Sequence, residues 1–341
     1  MPNTYNRRQF MRAVLLGGGM LVTGLAPVLT PVQAAASVAV CRQTMLFMGT
    51  MVSISVAHTD TARAREAMAR AFALGRALER HFTRFAEGSP LGVLNASGRL
   101  EDAPPQLTSL LDRALSLHRF THGAFDMTVL PLIRTLETAR QTGKQPDMQD
   151  LRAALDLVGA EHLHMSGQTL RLHRSGMGLT LDGIAKGHVA QAMSHCLTDA
   201  GCPDHLVDAG GDMVARGSKV SGPWRVAVED PHKKGRYPQV LDMPAQGLAL
   251  ATSGVYEMVY DAAGRRSHLL NPSTGQGSDL AGVSVAAPDG SMADGLATAL
   301  AVMPPREALA LADSLPGCSC CLMRRDGRIQ TSCRWPGRGL A

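Results

Sequence analysis

The stretch "ADGLATAL" (residues 293–300) is rich in alanine and leucine, which predicts a helix that packs closely against its neighbours. It also carries a carboxylate, Asp294, and four positions later a hydroxyl, Thr298. At 3.6 residues per turn these two side chains lie one above the other on the same helix face. Such a pair of oxygen ligands can bind a hard cation. The alternative is that Asp294 caps the helix while the Thr298 hydroxyl bonds back to a carbonyl.

The rest of the chain alternates between predicted helices and strands. Apolar residues at helical spacing, entered through Asp60 or Thr61, predict the first helix after the N-terminal segment. Strands are predicted within "MGTMVSISVA", "LHMSGQTLRLHRSGMGLTLDG", "HLVDAGGDMVARG", "WRVAVEDP", "GLALATSG" and "GVSVAAP". The predicted helices cover residues 61–85, 106–120, 184–201, 293–303 and 306–314. The pattern predicts an α+β fold, built as one compact unit or as two lobes that share a core.

Residues 1–34 have the features of an export signal. Arg7 and Arg8 precede Phe10, an uncharged apolar run follows over residues 13–26, and small residues surround Ala34. This is the twin-arginine pattern, and the apolar run is shorter than the roughly 20 residues that a spanning helix needs. We therefore expect cleavage near Ala34, no spanning segment in the mature protein and a periplasmic location. An uncleaved anchor is the alternative. Residues 35–341 are then the functional domain.

Composition argues against a nucleic-acid partner. The 341 residues include only 4% aromatic side chains, too few for a base-stacking surface. The formal net charge is +5, and three of those charges belong to arginines of the N-terminal segment, which contains no acid. The remainder has no marked excess of positive charge, so nucleic acid is not expected as a partner.

Seven cysteines allow several interpretations. Export places the mature chain outside the reducing cytoplasm, where thiols can pair. Four of the cysteines crowd the C-terminus in "CSCCLMRRDGRIQTSC", but they lack paired C-x-x-C spacing. We expect buried thiols or one disulfide there rather than a soft-metal site.

Five short segments combine glycine with charged or hydroxyl side chains. They are "THGAFDMTV", "LDGIAKG", "DAGGD", "ATSGVYE" and "SHLLNPSTG". Each alone fits an ordinary turn. Together they indicate a large anionic ligand, because glycines let backbone N–H groups approach phosphate oxygens. Neither G-x-x-x-x-G-K-[ST] nor G-x-G-x-x-G occurs, so neither common nucleotide-binding loop is used.

The order of these segments resembles the motif series of the ApbE family, the FAD:protein FMN transferases. The motifs "MGT", "HFTRFAEGSPLGVLN", "THGAFDMTVLPL", "LDGIAKGH", "LVDAGGD", "WRVAVEDP", "ATSGVYE", "SHLLNPSTG" and "ADGLATAL" occur in sequence over residues 48–302. The resemblance implies two interleaved α/β lobes of the ApbE (T-fold-like) type around a central ligand cleft. The signal segment makes the chain similar to exported members, including NosX-type proteins.

The resemblance also implies a ligand set. FAD is the substrate and Mg²⁺ the metal. The residues that correspond to FAD contacts in the family are Met48, Phe85, Ala124, Phe125, Asp126, Thr180, Lys186 and Leu270. The positions that correspond to metal ligands are Gly183, Asp294, Ala297 and Thr298. His268 is the candidate general base, since an imidazole titrates near neutral pH. Its alternative role is to order the "NPSTG" turn.

The activity implied is Mg²⁺-dependent transfer of FMN from FAD to a threonine or serine hydroxyl of an acceptor flavoprotein, with release of AMP. The expected acceptor carries a NosR-, RnfG- or NqrC-like flavinylation domain. Three other functions remain open: an FAD carrier without turnover, an interaction partner of a membrane redox complex, and an FAD diphosphatase that releases free FMN and AMP.

The chain departs from the family pattern at several positions near the expected site. Thr180 stands where the family usually has an acid, and an acid occurs two positions later, at Asp182. Asn271 replaces the aspartate of "DPxTG", Asp208 replaces an asparagine, and Phe85 lacks a tyrosine hydroxyl. None of these changes removes the predicted metal pair or His268.

Overall fold

The structure is a computed structural model that describes residues 37–256, 258–260 and 266–339. The predicted signal, residues 1–34, lies outside the described residues. The helices are α1 (Thr61–Phe82), α2 (Pro90–Ser97), α3 (Pro105–Phe120), α4 (Leu130–Thr142), α5 (Met148–Leu155), α6 (Ala185–Asp199), α7 (Gly290–Ala301) and α8 (Pro305–Ser314). The strands of the first half are β1 (Ala39–Phe47), β2 (Thr50–His58), β3 (Arg99–Leu100), β4 (Leu163–Ser166) and β5 (Thr169–Leu172). Those of the second half are β6 (His205–Ala209), β7 (Met213–Arg216), β8 (Ser218–Lys219), β9 (Gly222–Val228), β10 (Gln239–Met243), β11 (Leu248–Gly254), β12 (Leu280–Ala287), β13 (Ser319–Arg324), β14 (Ile329–Thr331) and β15 (Arg338–Gly339).

An eight-stranded sheet in the order β1-β2-β6-β7-β11-β12-β13-β14 forms the centre of residues 37–339. All of its described pairings are antiparallel. A four-stranded sheet has the order β15-β10-β9-β8, and a three-stranded sheet has the order β3-β5-β4. The mixture of helices with antiparallel sheets confirms the predicted α+β class.

The large sheet is buried on both faces in its middle. Along β11, Ala249 and Ala251 belong to the main core with α1, α6 and α7, whereas Leu250 belongs to a second core against the four-stranded sheet. Alternate residues of a strand point to opposite faces, which explains this division. Every residue of β12 is buried, as expected for a strand covered on both sides.

Helices α6 and α7 approach closely because glycine faces glycine at their crossing. A Cβ on Gly187 would collide with the carbonyl oxygen of Gly290, and a Cβ on Gly290 would collide with that of Gly187. Only residues without a side chain allow this separation. The contact brings the first turn of α6 next to Asp294 of α7.

Two predicted helix ends differ from the structure by three residues. Helix α1 ends at Phe82, not at residue 85, because Thr83 has an extended backbone (ψ 130°). Helix α7 begins at Gly290, and its N-cap is Asp289, whose side chain accepts a hydrogen bond from the N–H of Met292. Asp294 therefore lies inside the helix and does not cap it, so the alternative interpretation of the pair in "ADGLATAL" is wrong for Asp294.

The seven cysteines are free thiols, and those of β13 are buried. Among the described residues, no three or more His, Cys, Asp or Glu side chains gather into a metal site. Of the four cysteines of the C-terminal cluster, Cys318, Cys320 and Cys321 are buried and Cys333 is exposed, so the expectation of buried thiols holds for three of them. Within the same described part of the chain, no helix is both long and apolar enough to cross a membrane.

Candidate functional site

A cavity of about 390 Å³ lies where the tip of the β1–β2 hairpin, the end of α1, the turn before α6, the end of β11 and helix α7 meet. Most of the residues predicted to contact a ligand line this cavity. They are Met48, Phe85, Phe125, Asp126, Thr180, Gly183, Lys186, His268, Asp294 and Thr298. Residues from six separate segments of the sequence are thus brought to one place by the fold.

Asp294, Thr298 and the carbonyl of Gly183 form a group of oxygen atoms in the cavity wall. The Thr298 hydroxyl donates to the Gly183 carbonyl oxygen at 3.3 Å and lies 3.5 Å from the Ser253 hydroxyl. The Asp294 carboxylate is 3% exposed, and its Oδ2 accepts a hydrogen bond from the N–H of Gly187 at 2.9 Å. Glycine at position 183 allows this close approach, because a Cβ there would lie 2.8 Å from Thr298 Oγ1 and would displace the Thr298 side chain or the turn.

The N-terminus of α6 lies next to this group of oxygen atoms. Its partial positive charge favours anions. Lys186, in the first turn of α6, adds a full charge, and its Nζ lies 2.6 Å from Oδ2 of the buried Asp212. Asp212 also accepts from the N–H of Thr252 at 3.4 Å. The sequence prediction included Lys186 but not Asp212, although the carboxylate lies in the glycine-rich "DAGGD" segment.

His268 lines the cavity with a mostly buried ring. Its Nδ1 has no hydrogen-bond partner in the part of the chain that the structure describes. Burial lowers the pKa of His268, and the Lys186 ammonium lowers it further, while the Met258 backbone and the Asp182 carboxylate oppose the shift. The imidazole is therefore neutral near pH 7 and able to accept a proton.

The tip of the β1–β2 hairpin is held in an unusual conformation. Met48 and Gly49 form a two-residue turn with φ of 54° and 68°, which is a type I′ geometry that a methionine rarely adopts. The N–H of Met48 donates to Glu79 Oε1 at 2.5 Å. Since Glu79 belongs to α1, this bond fixes the hairpin tip against the helix. Glu79 also lines the cavity and was not predicted.

The Asp126 carboxylate accepts hydrogen bonds mainly from Thr128, two residues further along the chain. Its Oδ1 accepts from the N–H and the hydroxyl of Thr128 at 2.7 and 2.6 Å, and its Oδ2 lies 3.4 Å from His118 Nδ1. Burial raises the pKa of Asp126, and the bonds from Thr128 oppose that shift. These contacts order the turn that presents Phe125. Next to it, the N–H of Thr180 donates to the Met127 carbonyl at 2.8 Å.

Three of the predicted residues do not line the cavity. Ala124 is half-buried against the main core, and Ala297 is fully buried within α7. Leu270 packs into a satellite core with residues of α4, and its neighbour Leu269 lines the cavity instead. Their assignment as ligand contacts stays a prediction.

Two further charged residues of the cavity wall were not predicted as site residues. Arg84 contacts Asp182 and Glu137, and Asp182 was noted only as a departure from the family pattern. Both partners are far from Arg84 in the sequence. The departure from the family pattern, with the acid at Asp182 and not at Thr180, is the feature of the sequence that points to this pairing.

The chain is similar in sequence and fold to known proteins. The chain is 30% identical over 311 residues to an FAD:protein FMN transferase of Klebsiella pneumoniae (strain 342), covering 88% of each chain. It is 31% identical over 303 residues to an FAD:protein FMN transferase of Rhodobacter capsulatus, covering 87% of this chain and 57% of that one. The apo flavinyl transferase ApbE of Pseudomonas stutzeri superposes with a TM-score of 0.74 at 26% identity, over 87% of this chain and 96% of that one. Residues 48–322 match the ApbE family, and the chain belongs to that family.

Proposed function

We propose that the chain is an FAD:protein FMN transferase. It moves the FMN group of FAD to a threonine or serine hydroxyl of an acceptor protein and releases AMP, with Mg²⁺ as the metal. The observation that carries the proposal is the convergence of Asp294, Thr298 and the Gly183 carbonyl on a cavity that Lys186 and His268 also line. The named relatives in Klebsiella and Rhodobacter support the substrate and the reaction.

The residues present fit a magnesium ion. A carboxylate, a hydroxyl and a backbone carbonyl are all oxygen donors, which is the donor set that Mg²⁺ prefers. Among the described residues, four carboxylates line the cavity, Glu79, Asp126, Asp182 and Asp294, and two cations, Arg84 and Lys186, oppose them. An anionic diphosphate would be repelled by Asp294 unless a cation lay between them. Bound there, Mg²⁺ would neutralise diphosphate oxygens and stabilise the departing phosphate.

The chain supplies the remaining functions itself. Lys186 and the N-terminus of α6 bind the diphosphate, and the ion pair with Asp212 holds the Lys186 ammonium in one place. His268 accepts the proton of the acceptor hydroxyl, a contribution worth about 10²–10⁴-fold in rate. Its lowered pKa keeps the ring neutral for that step.

The atoms of the reaction balance without an additional reagent. The acceptor oxygen forms a bond to the phosphorus that carries riboflavin. The bond from that phosphorus to the oxygen bridging to the AMP phosphate breaks, and AMP leaves with both electrons of the bond. The proton of the hydroxyl passes to His268. The acceptor then carries FMN through a phosphoester.

We also propose where the reaction takes place. The paired arginines and apolar run of residues 1–34 support export by the twin-arginine route with cleavage near Ala34, which leaves residues 35–341 in the periplasm. Acceptors with NosR-, RnfG- or NqrC-like flavinylation domains are the partners to test first.

The test incubates the mature protein with FAD, Mg²⁺ and an acceptor domain that carries the flavinylation threonine. We expect the acceptor to gain the mass of FMN and to fluoresce in a denaturing gel, and AMP to appear in equal amount. An acceptor with that threonine replaced by valine is the matched control and gains nothing. Intact FAD after long incubation, or free FMN and AMP without an acceptor, would overturn the proposal in favour of a carrier or a diphosphatase.

A further inference from the structure

Arg84 connects three separate segments at the edge of the cavity. Its Nε lies 2.8 Å from Asp182 Oδ2, and its Nη2 lies 2.9 Å from Glu137 Oε1. Its Cζ lies 4.2 Å from the centroid of the Phe85 ring. The guanidinium thus joins the turn before α6, helix α4 and the loop that follows α1.

The environment of Arg84 suits a guanidinium and not another cation. Its side chain is only 9% exposed, so its charge must be compensated within the protein. The planar fork reaches two carboxylates at once while its face lies on an aromatic ring. A lysine ammonium is a point charge and cannot make all three contacts.

The contact with Asp182 restrains the candidate metal site. Asp182 immediately precedes Gly183, and the Gly183 carbonyl oxygen accepts a hydrogen bond from the Thr298 hydroxyl at 3.3 Å. The N–H of Asp182 also donates to Thr180 Oγ1 at 3.2 Å. The turn that presents the Gly183 carbonyl is therefore tied to Arg84 through the preceding residue.

The contact with Phe85 restrains an exposed aromatic ring. Phe85 is 74% exposed, and an unsupported ring at such a position would exchange rotamers freely. The guanidinium covers one face of the ring, and because most of the residue is exposed, the other face is open. Phe85 is part of the cavity wall, so that open face is available to a planar group of a ligand.

We propose that Arg84 is a positioning residue for the flavin transfer. It supports the Phe85 ring as a stacking surface for one of the two planar rings of FAD, isoalloxazine or adenine, and through Asp182 it holds the turn that carries the Gly183 carbonyl. This proposal rests on the proposed function and deepens it. Glu137 anchors the guanidinium from the side of α4.

The experiment compares Arg84→Gln, Arg84→Lys and Asp182→Asn in the mature protein. We expect KM for FAD to rise about tenfold in both Arg84 variants, because lysine cannot replace the fork, and by less in Asp182→Asn. The double variant Arg84→Gln/Asp182→Asn raises KM by less than the product of the single effects, since the two residues act through one contact. Asp182 is half exposed, so its variant tests the contact with little effect on folding.

Arg225→Gln is the matched control. It breaks an Nε to carboxylate contact of the same 2.8 Å length, between Arg225 and Asp242 on the four-stranded sheet away from the cavity. We expect its KM to equal that of the wild type. Thermal unfolding of each variant separates a loss of fold from a loss of positioning.

A second readout identifies the ring that stacks on Phe85. The inhibition constants of riboflavin and of AMP are measured against FAD for the wild type, Arg84→Gln and Phe85→Leu. We expect one of the two constants to rise in both variants while the other stays the same, and the inhibitor that weakens names the ring. Unchanged constants and an unchanged KM, with transfer normal in the wild type, would overturn this proposal alone. Absence of transfer in the wild type would overturn the proposed function.

Discussion

Asp294 Oδ2 accepts a hydrogen bond from the N–H of Gly187 at 2.9 Å, so a carboxylate of α7 caps the N-terminus of α6 from outside that helix. One carboxylate thus satisfies an otherwise unpaired helical donor and supplies an oxygen to the candidate metal site. The glycine contact between α6 and α7 makes this possible, because no larger residue would let the two helices come so close. Packing and the proposed chemistry depend on the same residue.

These two roles of Asp294 can be separated by substitution. Asp294→Asn keeps an oxygen for the Gly187 N–H but removes the charge, whereas Asp294→Ala removes both. We expect both variants to lose FMN transfer by at least about 10²-fold, because each weakens cation binding. Only the alanine variant should also lose stability, by about 1–3 kcal/mol for the unsatisfied donor. Transfer assays, Mg²⁺ titration and urea unfolding measure the three quantities.

Asp289→Ala is the matched control for Asp294, since it removes a carboxylate from the N-cap of the same helix. We expect it to cost about 1 kcal/mol in unfolding free energy and to leave transfer intact. Normal Mg²⁺-dependent transfer in Asp294→Asn would contradict the proposed metal site.

Gly183→Ala should disable the site by crowding. The added Cβ would lie 2.8 Å from Thr298 Oγ1 and 3.0 Å from Thr298 Cγ2, so the Thr298 side chain or the turn must move. We expect a loss of transfer together with a stability cost of about 1–3 kcal/mol. Gly88→Ala is the control, because nothing lies within 4 Å of a Cβ there. Wild-type transfer by a folded Gly183→Ala protein would show that the carbonyl position is not critical.

The sequence predicted local features of the fold well. The apolar stripe of α1, including Met68, Phe72, Leu78 and Phe82, is buried as expected. Phe85 continues that spacing but lies beyond the helix, because Thr83 is extended and the spacing alone does not mark where a helix ends. Helices α2, α4 and α5 were not predicted at all.

The candidate site, like the fold, was predicted from the sequence only in part. Four of the five glycine-containing segments identified in the sequence line one cavity, and the fifth, "DAGGD", is connected to it through the ion pair of Asp212 with Lys186. The family resemblance selected the candidate residues within the four lining segments. The charged partners Glu79, Asp212 and Glu137 were missed, because each lies between 26 and 53 residues from its partner in the sequence. Such pairings are set by tertiary packing, and no local pattern in a single sequence encodes them.

Asp212→Asn should weaken FAD binding and destabilise the fold. Asp212 is 2% exposed and pairs with Lys186 Nζ at 2.6 Å, so its removal leaves a largely buried ammonium without that carboxylate. We expect unfolding free energy to fall by about 3 kcal/mol and KM for FAD to rise. The exposed pair of Glu66 and Arg70 provides the control, and Glu66→Gln should cost at most about 0.5 kcal/mol. Equal stability losses in the two variants would contradict the importance of the buried pair.

The activity should persist below the usual titration range of histidine. Because burial lowers the pKa of His268 from its ordinary value of 6.5, the neutral base form survives to lower pH. We expect the acidic limb of the kcat/KM profile to lie below pH 6.5, and His268→Ala to lose that limb along with about 10²–10⁴-fold in rate. The measurement is a pH profile of transfer at saturating Mg²⁺. A limb above pH 6.5, or one that persists in His268→Ala, would rule out this residue as the base.

Acid should destabilise the protein through His188. The pKa of His188 is lowered from 6.5 to about 4, mainly by burial and also by the charge of Arg113, while Asp289 opposes the shift. Below pH 6.5 the His188 imidazole takes up a proton in the unfolded chain but stays neutral in the folded protein. The free energy of unfolding therefore falls as the pH is lowered, until the pH reaches the folded pKa near 4. The full loss in unfolding free energy from this one group is about 3 kcal/mol. In the fold, His188 Nδ1 lies 3.1 Å from the Ser291 hydroxyl and its ring packs edge-on against Phe82.

His188→Gln removes this titration while keeping a polar group for Ser291. We expect the variant to lose less stability than the wild type between about pH 6.5 and pH 4, because the glutamine binds no proton in either state. Urea unfolding at several pH values gives the comparison, in which other acid-sensitive groups cancel between proteins. Parallel curves of unfolding free energy against pH for the wild type and His188→Gln would contradict the prediction that burial of this imidazole causes the loss of stability in acid.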